Sequence, residues 1–369
     1  MQQQETPTKL KGRGYLSFSN GFLKLILCLF SFSDSQLLAQ SRDSAPAEEK
    51  QPVLRFELSV PSMGSHVDFV VYAHSEPQAK SAIDAGLGEI ERLSVLLSNY
   101  DSNSEISRLC SAPTNQWTLV SRDLSMVLMH SRRWFQLSDG KFDITVGPLT
   151  ELWRKGRQRK RIPTQEEIAD AKKRCGWAFV GLEPALIDAE LNQPNSVSLL
   201  KPKMKLDLSG LAVGYIVDAV FEKITASGAR SILVNAGGDI RVGDPPPGMD
   251  GWRITIAGLG KESPPLAMLR VKNCAVTTSG DLNQFLEIDG HRYSHFIDPE
   301  SGDPIERRQS VTAIAATTLD ADAGATALAI LGMNRASSLF DTLPLSDAIF
   351  VEAGTDDSMP MRARWLTKD

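Results

Sequence analysis

Apolar and polar positions change their period repeatedly along the 369-residue chain, and each change marks an element. LRFELSV (54–60) and HVDFVVYA (66–73) read as short strands on either side of Pro61-Ser62-Met63-Gly64. From Pro77 the apolar residues Ala79, Ile83, Leu87, Ile90, Leu93 and Leu97 recur at helical spacing. The polar stretch SNYDSNSEISRL then leads into a new helix start. A further helix is predicted over Arg122 to Leu137, stopping before Asp139-Gly140. KFDITVGPLTELW reads as a β-like run, broken at Gly147-Pro148 and resumed as a short helix. Thr164, with Glu167 three residues on, forms a helix-start signal for a segment reaching Cys175. ALIDAELNQPNSVSLL has the pattern of a hairpin.

The second half alternates more sharply. MKLDL predicts a strand, and SGLAVGYIVDAVFEKITASG a helix with apolar residues at 213, 216, 217, 220 and 224. SILVN, WRITIAG and LAMLRVKNCAVTTSGD supply strands, and FLEIDGHRYS a hairpin whose Asp289-Gly290 suits a type I′ turn. SVTAIAAT, ADAGATALAILG, DAIFVEA and a basic C-terminal run read as strand, helix, strand and strand. Long helices among hairpins predict an α+β fold with mixed or antiparallel sheets, not a regular doubly wound sheet. No internal repeat is visible.

The N-terminus departs from this pattern. Lys9, Lys11 and Arg13 precede the apolar run GFLKLILCLFSF, and a polar stretch with small residues follows. That arrangement predicts a signal peptide over 1–39, cleaved near Ala39, and a polar linker over 40–52. The run is short for a membrane span, although retention as an anchor is the alternative. Cys28 lacks the preceding small residues of a lipoprotein site. Beyond the signal, Cys110, Cys175 and Cys274 form neither an even framework nor a paired zinc spacing, so they read as structural or free thiols.

Composition is that of a soluble globular protein, 42% hydrophobic and 23% charged, with net charge −5. Nothing there favours nucleic acid as a partner. The one basic run, Arg154 to Arg161, reads as a solvated face. There is no GxGxxG after the first strand, no GxxxxGK[ST], no HExxH and no GxSxG, which argues against nicotinamide, P-loop, zinc-protease and α/β-hydrolase chemistry.

Four junctions place an acidic or hydroxyl residue beside glycine where a strand ends or a helix begins. They are Asp207 to Gly210, Asn235 to Asp239, Thr277 to Asp281, and Asp320 to Thr326. Glycine permits close backbone approach to a ligand, and free N–H groups attract phosphate oxygens, although any one such junction taken alone reads as a plain turn. Asp322 and Thr326 are four apart, which sets a carboxylate and a hydroxyl on one helix face. Such oxygens suit Mg²⁺. A helix-capping Asp322 and a Thr326 bonded back to a carbonyl explain the spacing equally well. His295, three residues before Asp298-Pro299, is the histidine best surrounded for general-base work, with a purely structural histidine in a strand as the alternative.

In order, PSMGS, LLSNYDSNSEISRL, GKFDITVGPLTELW, LDLSGLAVGYIVD, VNAGGDI, TTSGD, YSHFIDPESGDP and ADAGATALAILG resemble the FAD:protein FMN transferase family, also called ApbE. The resemblance runs from about Phe56 to the C-terminal strand. It implies one catalytic domain over 53–369, with an FAD site at the junction of two subdomains. It implies Mg²⁺-dependent transfer of FMN from FAD to a Thr or Ser hydroxyl, with release of AMP. FAD pyrophosphatase activity and non-catalytic flavin binding are the alternatives. The acceptors it implies are proteins with FMN-binding domains or subunits of membrane electron-transfer complexes. The location it implies is the periplasm or the outer face of the cytoplasmic membrane, where peripheral membrane association is an option.

Carried over by motif, Met63, Tyr100, Lys141, Phe142, Asp143, Asp207, Val213 and Phe296 are the implied cofactor contacts. Gly210, Asp322 and Thr326 are the implied metal ligands, with His295 as base. Two positions depart from the family pattern. Val213 stands where Lys or Glu is usual, and Leu282 where Tyr is common; both bear on flavin affinity.

Overall fold

The computed structural model describes residues 52–183, 195–259, 265–280, 285–288, 290–353 and 361–368. The expected signal and nearly all of the linker lie outside them, as do Asp281 and Leu282. The first two strands, β1 (Leu54–Ser62) and β2 (Ser65–Ala73), pair antiparallel through the turn Met63-Gly64. Both turn residues have positive φ, 49° and 75°, as a tight hairpin with right-handed strand twist requires. Next come α1 (Glu76–Leu97), α2 (Glu105–Ser111), β3 (Thr118–Val120) and α3 (Arg122–Leu137). These are followed by α4 (Gly147–Arg159), α5 (Gln165–Lys172), β4 (Val180–Leu182) and β5 (Asn195–Leu199). The capping box of α5 forms as its sequence predicts, Thr164 accepting from the Glu167 N–H and Glu167 from the Thr164 N–H. β4 and β5 pair antiparallel; of the expected hairpin ALIDAELNQPNSVSLL only the second arm falls among the described residues, as β5.

The second half contributes α6 (Ala212–Ala226), β6 (Ile232–Ala236), β7 (Asp239–Val242), β8 (Trp252–Ile256), β9 (Ala267–Val271) and β10 (Cys274–Gly280). Then follow β11 (Phe285–Ile288), β12 (His291–Ser294), β13 (Gln309–Ala315), α7 (Thr318–Leu339), β14 (Leu345–Glu352) and β15 (Arg362–Thr367). Eight strands form one sheet in the order β1-β2-β6-β7-β10-β13-β14-β15. Every ladder among the described residues is antiparallel. The architecture is the expected α+β one, with several sheets and packed helices.

Alternation in the strands decides which layer covers which face. Val67, Phe69 and Val71 of β2 and Val311 and Ala313 of β13 point into the main core with α1, α6 and α7. Val242, Val276 and Ile314 face the other side, under Trp252 and Ile254 of the β8–β9 hairpin. A second, smaller core joins Leu149 and Trp153 of α4, Ile168 and Ala171 of α5, Leu286 of β11 and Ile297. The cleft described below opens between these two cores.

Among the described residues, two predicted strands are absent. MKLDL alternates and buries Met204, Leu206 and Leu208, yet it joins no sheet. Its backbone is satisfied from elsewhere. The Asn99 side chain donates to the Leu206 carbonyl (2.6 Å) and accepts from the Leu208 N–H (2.8 Å), and the Asp207 N–H donates to the Ile144 carbonyl (2.7 Å). In KFDITV, Ile144–Val146 is a 3₁₀ turn because the Asp143 carboxylate accepts from the Thr145 N–H and starts it.

Cys110, Cys175 and Cys274 are free and half-buried. Burial pushes all three thiols up, Cys175 to about 12, so little thiolate exists at pH 8. Iodoacetamide at pH 8 is expected to modify these three cysteines slowly in the native protein and fast in the denatured protein. Rapid labelling of any of the three in the native protein would contradict this.

Candidate functional site

All four glycine junctions meet in one cleft of about 440 Å³. They bring Asp207, Ser209 and Gly210; Gly237 and Asp239; Thr278, Ser279 and Gly280; and Asp322 and Thr326. Segments far apart in sequence converge because α6 and α7 pack together against β7, β10 and β13. The GKFD segment adds Lys141, Phe142 and Asp143, and the YSHFIDP segment adds His295 and Phe296. Tyr100 stands at the mouth, 77% exposed. Two implied cofactor contacts are not among the lining residues. Met63 sits in the β1–β2 turn and Val213 on α6, both half-buried against the main core.

α7 carries Asp322 and Thr326 and is pinned at both ends of the segment that holds them. At its start Thr317 accepts from the Asp320 N–H, and the Asp218 carboxylate accepts from the N–H groups of Thr318 (2.8 Å) and Leu319 (2.9 Å). The segment ends where Gly332 breaks the helix at φ 72°. There Gln309 donates to the Ala329 carbonyl and Arg307 to that of Ile330. The cap of α7 is therefore supplied by Thr317 and Asp218, and Asp322 does not cap its own helix. Thr326 likewise does not bond back to a carbonyl; its Oγ1 lies 3.2 Å from Ser279 Oγ.

Asp322 is 5% exposed, and one of its oxygens accepts from the Gly214 N–H at 3.2 Å. Close packing at this contact accounts for the second glycine of LDLSGLAVGYIVD. A Cβ at 214 would sit 2.6 Å from the Thr318 carbonyl oxygen and 2.9 Å from Asp322 Cβ. Burial, then the nearby charge of Asp239, holds the Asp322 carboxyl well above the usual carboxylate range. Asp239 is only half-buried by exposure, but the protein around its carboxyl and the charge of Asp218 raise it too. Asp239 and Asp322 thus line this side of the cleft, and the charge of Asp218 at the start of α7 adds to theirs. The only cation paired with any of them among the described residues is Arg241, 3.8 Å from Asp218.

Gly210 lies against Thr326: a Cβ there would be 3.5 Å from Thr326 Oγ1 and 3.1 Å from the Phe142 ring. Asp207 accepts from both the N–H and the hydroxyl of Ser209, which shapes the turn into α6. Lys141 is buried, and burial works against its charge. Nonetheless its ammonium is held above its usual value by both oxygens of Asp298 (2.7 and 3.0 Å) and by Glu300 (2.8 Å). Lys141 thus ties the GKFD segment to the loop that follows His295. The His295 ring lies 4.0 Å from that of Phe296, centre to centre.

Sequence reasoning passed over Arg154 and Arg157. Both line the cleft, and the Arg154 guanidinium stacks 4.9 Å over the Tyr100 ring. Two arginines three apart on a helix share one face, and that signal lay inside a run read as solvated. Among the described residues no group of three His, Cys, Asp or Glu side chains is arranged to hold a metal ion, and no helix is long and apolar enough to cross a membrane.

Comparison with known proteins agrees with this geometry. The ApbE family model matches residues 63–350. The FAD:protein FMN transferase of Escherichia coli (strain K12) is 35% identical over 254 residues, which cover 66% of this chain and 69% of that one. The flavin transferase ApbE from Vibrio cholerae superimposes with a TM-score of 0.74 at 27% identity, covering 85% of this chain and 97% of that one. The ApbE protein of Thermotoga maritima does so with a TM-score of 0.73 at 28% identity, covering 84% and 96%. The chain belongs to the ApbE family.

Proposed function

We propose that this protein transfers FMN from FAD to a Ser or Thr hydroxyl of an acceptor protein and releases AMP. The convergence of four glycine junctions on one cleft is the observation that carries this reading, and family membership supports it. The acceptor oxygen forms a bond to the phosphorus of the FMN half. The bond from that phosphorus to the bridging oxygen breaks, and AMP leaves with the electron pair. The glycine junctions bring backbone to the cleft wall at Gly210, Gly237 and Gly280, and N–H groups there that the fold does not use are suited to hold phosphate oxygens. His295 takes the proton of the acceptor hydroxyl. Lys141, through Asp298 and Glu300, keeps the His295 loop against the GKFD segment.

The donor set fits Mg²⁺. Asp322 is a buried carboxylate whose charge no cation balances among the described residues, and Thr326 and the side-chain-free Gly210 stand beside each other next to it. These three residues would hold the ion. When bound, Mg²⁺ supplies positive charge to the phosphate oxygens as negative charge develops on them. We further read residues 1–39 as an export signal and residues 53–369 as the catalytic domain. Acceptors would then be met outside the cytoplasmic membrane.

Incubation of the protein with FAD, Mg²⁺ and an acceptor flavoprotein domain tests the proposal. Covalently fluorescent acceptor together with AMP is the expected result. AMP without labelled acceptor would replace the reading with FAD hydrolysis, and bound but intact FAD with a storage role. His295→Gln is expected to slow labelling about 10²-fold while FAD affinity, read from flavin fluorescence, stays within about twofold. Loss of FAD binding in that variant would make His295 a cofactor contact instead.

A further inference from the structure

We propose that Arg154 and Arg157 form an anion-binding strip at the cleft mouth that recognises acidic residues flanking the acceptor hydroxyl. The inference rests on the transferase reading and specifies what its acceptor presents.

Two other cations of the basic run are already paired. Lys155 pairs with Glu151 and Arg161 with Glu167, each at 2.7 Å. Arg154 and Arg157, which face the cleft, have no carboxylate partner among the described residues. Both are half-buried. Burial, then the charge of Arg154, lowers the Arg157 value, so the pair stands there at a cost that no carboxylate among the described residues offsets. The helix macrodipole accounts for basic residues in the last turn of α4, Arg157 and Arg159 among them. It does not account for Arg154, which stands a turn earlier and lies over Tyr100.

The surroundings select the ligand. The junction N–H groups and the proposed metal donors already serve the pyrophosphate. Arg154 instead accompanies the exposed Tyr100 at the mouth, where an acceptor has to enter. Arg159 and Lys160 continue the same charge outward onto the surface, exposed. In a chain of net charge −5 this strip is a local reversal of sign, complementary to an acidic segment. The planar fork of arginine suits carboxylates.

The test uses the full chain with FAD and EDTA, so that binding is read without turnover. Two fluorescent peptides are compared by anisotropy, one with aspartates on both sides of a single threonine and its asparagine counterpart. The aspartate peptide is expected to bind about tenfold more tightly at low salt. That preference should vanish in Arg154→Gln/Arg157→Gln and at high salt, and largely survive in Arg154→Lys/Arg157→Lys, which keeps the charge. Equal binding of the two peptides, or a preference that persists in the glutamine variant, overturns the proposal. So does a fall in FAD affinity in that variant, which would assign the arginines to the nucleotide phosphates. A parallel run with Mg²⁺ separates the two readings. Efficient labelling of an acceptor without aspartate preference removes the docking strip alone, whereas AMP release with no acceptor ever labelled removes the transferase reading.

Discussion

Asp322→Asn is expected to abolish Mg²⁺-dependent turnover, with a loss on the order of 10³-fold or more, and at the same time to stabilise the protein in EDTA. The two effects have one cause. Asp322 is buried beside Asp239, and Asp218 is close enough to add its charge. A carboxylate in that position opposes the ion-free fold, since no cation among the described residues compensates it. Asparagine has the same shape and keeps an oxygen for the Gly214 N–H, so only the charge is removed. Relief of about 1–2 kcal/mol is expected from neutralising one member of such a group. This is the trade-off of an active site that keeps an unfavourable charge for function.

Thermal melts check the argument directly. Wild type should melt lower than the variant in EDTA and gain stability when Mg²⁺ is added, because an ion that binds only the folded state raises its melting point. The variant should show little response to Mg²⁺. If turnover in Asp322→Asn stayed Mg²⁺-dependent and undiminished, Asp322 would not be a ligand. If the variant melted lower in EDTA, the carboxylate would be serving the fold, not the site.

The parts of this site that were legible in the sequence are those written in local chemistry. Each junction advertises itself by a glycine beside a carboxylate or hydroxyl, and all four line the cleft. What a single stretch does not record is where its backbone groups find partners. MKLDL has the period of a strand because alternate side chains are buried. Asn99, over a hundred residues earlier, supplies the hydrogen bonds that a neighbouring strand would have given. Asp218 lay inside a helix with nothing nearby to mark it, yet it caps the helix that bears Asp322. The basic run was misjudged for a related reason. Its composition is that of a solvated face, and only the packing of α4 shows that residues 154 and 157 turn inward. Val213, prominent as a departure from the family motif, lies against the core outside the cleft lining, so its apolar character matches the surroundings it has.

Gly214→Ala carries the second large effect, and two opposing terms decide its sign. Within the helix α6, alanine is favoured over glycine by about 1 kcal/mol, so an open position would be stabilised. Position 214 is closed. The new methyl would meet the Thr318 carbonyl oxygen at 2.6 Å, Asp322 Cβ at 2.9 Å and Leu319 Cα at 2.9 Å. Backbone atoms at the start of α7 cannot turn aside as the end of a flexible side chain can. They are already fixed by Thr317 and Asp218. Overpacking against such atoms costs about 3 kcal/mol, which outweighs the propensity gain and lowers the melting temperature by roughly 5 °C. The strain is relieved by moving α6 and α7 apart, which lengthens the 3.2 Å contact from the Gly214 N–H and shifts Asp322 within the cleft. A displacement near 1 Å at a reacting centre costs about 10²-fold in rate, so kcat should fall by that order well below the melting temperature. A variant that melts at or above wild type, with unchanged kcat, would mean that the two helices do not meet this closely in solution.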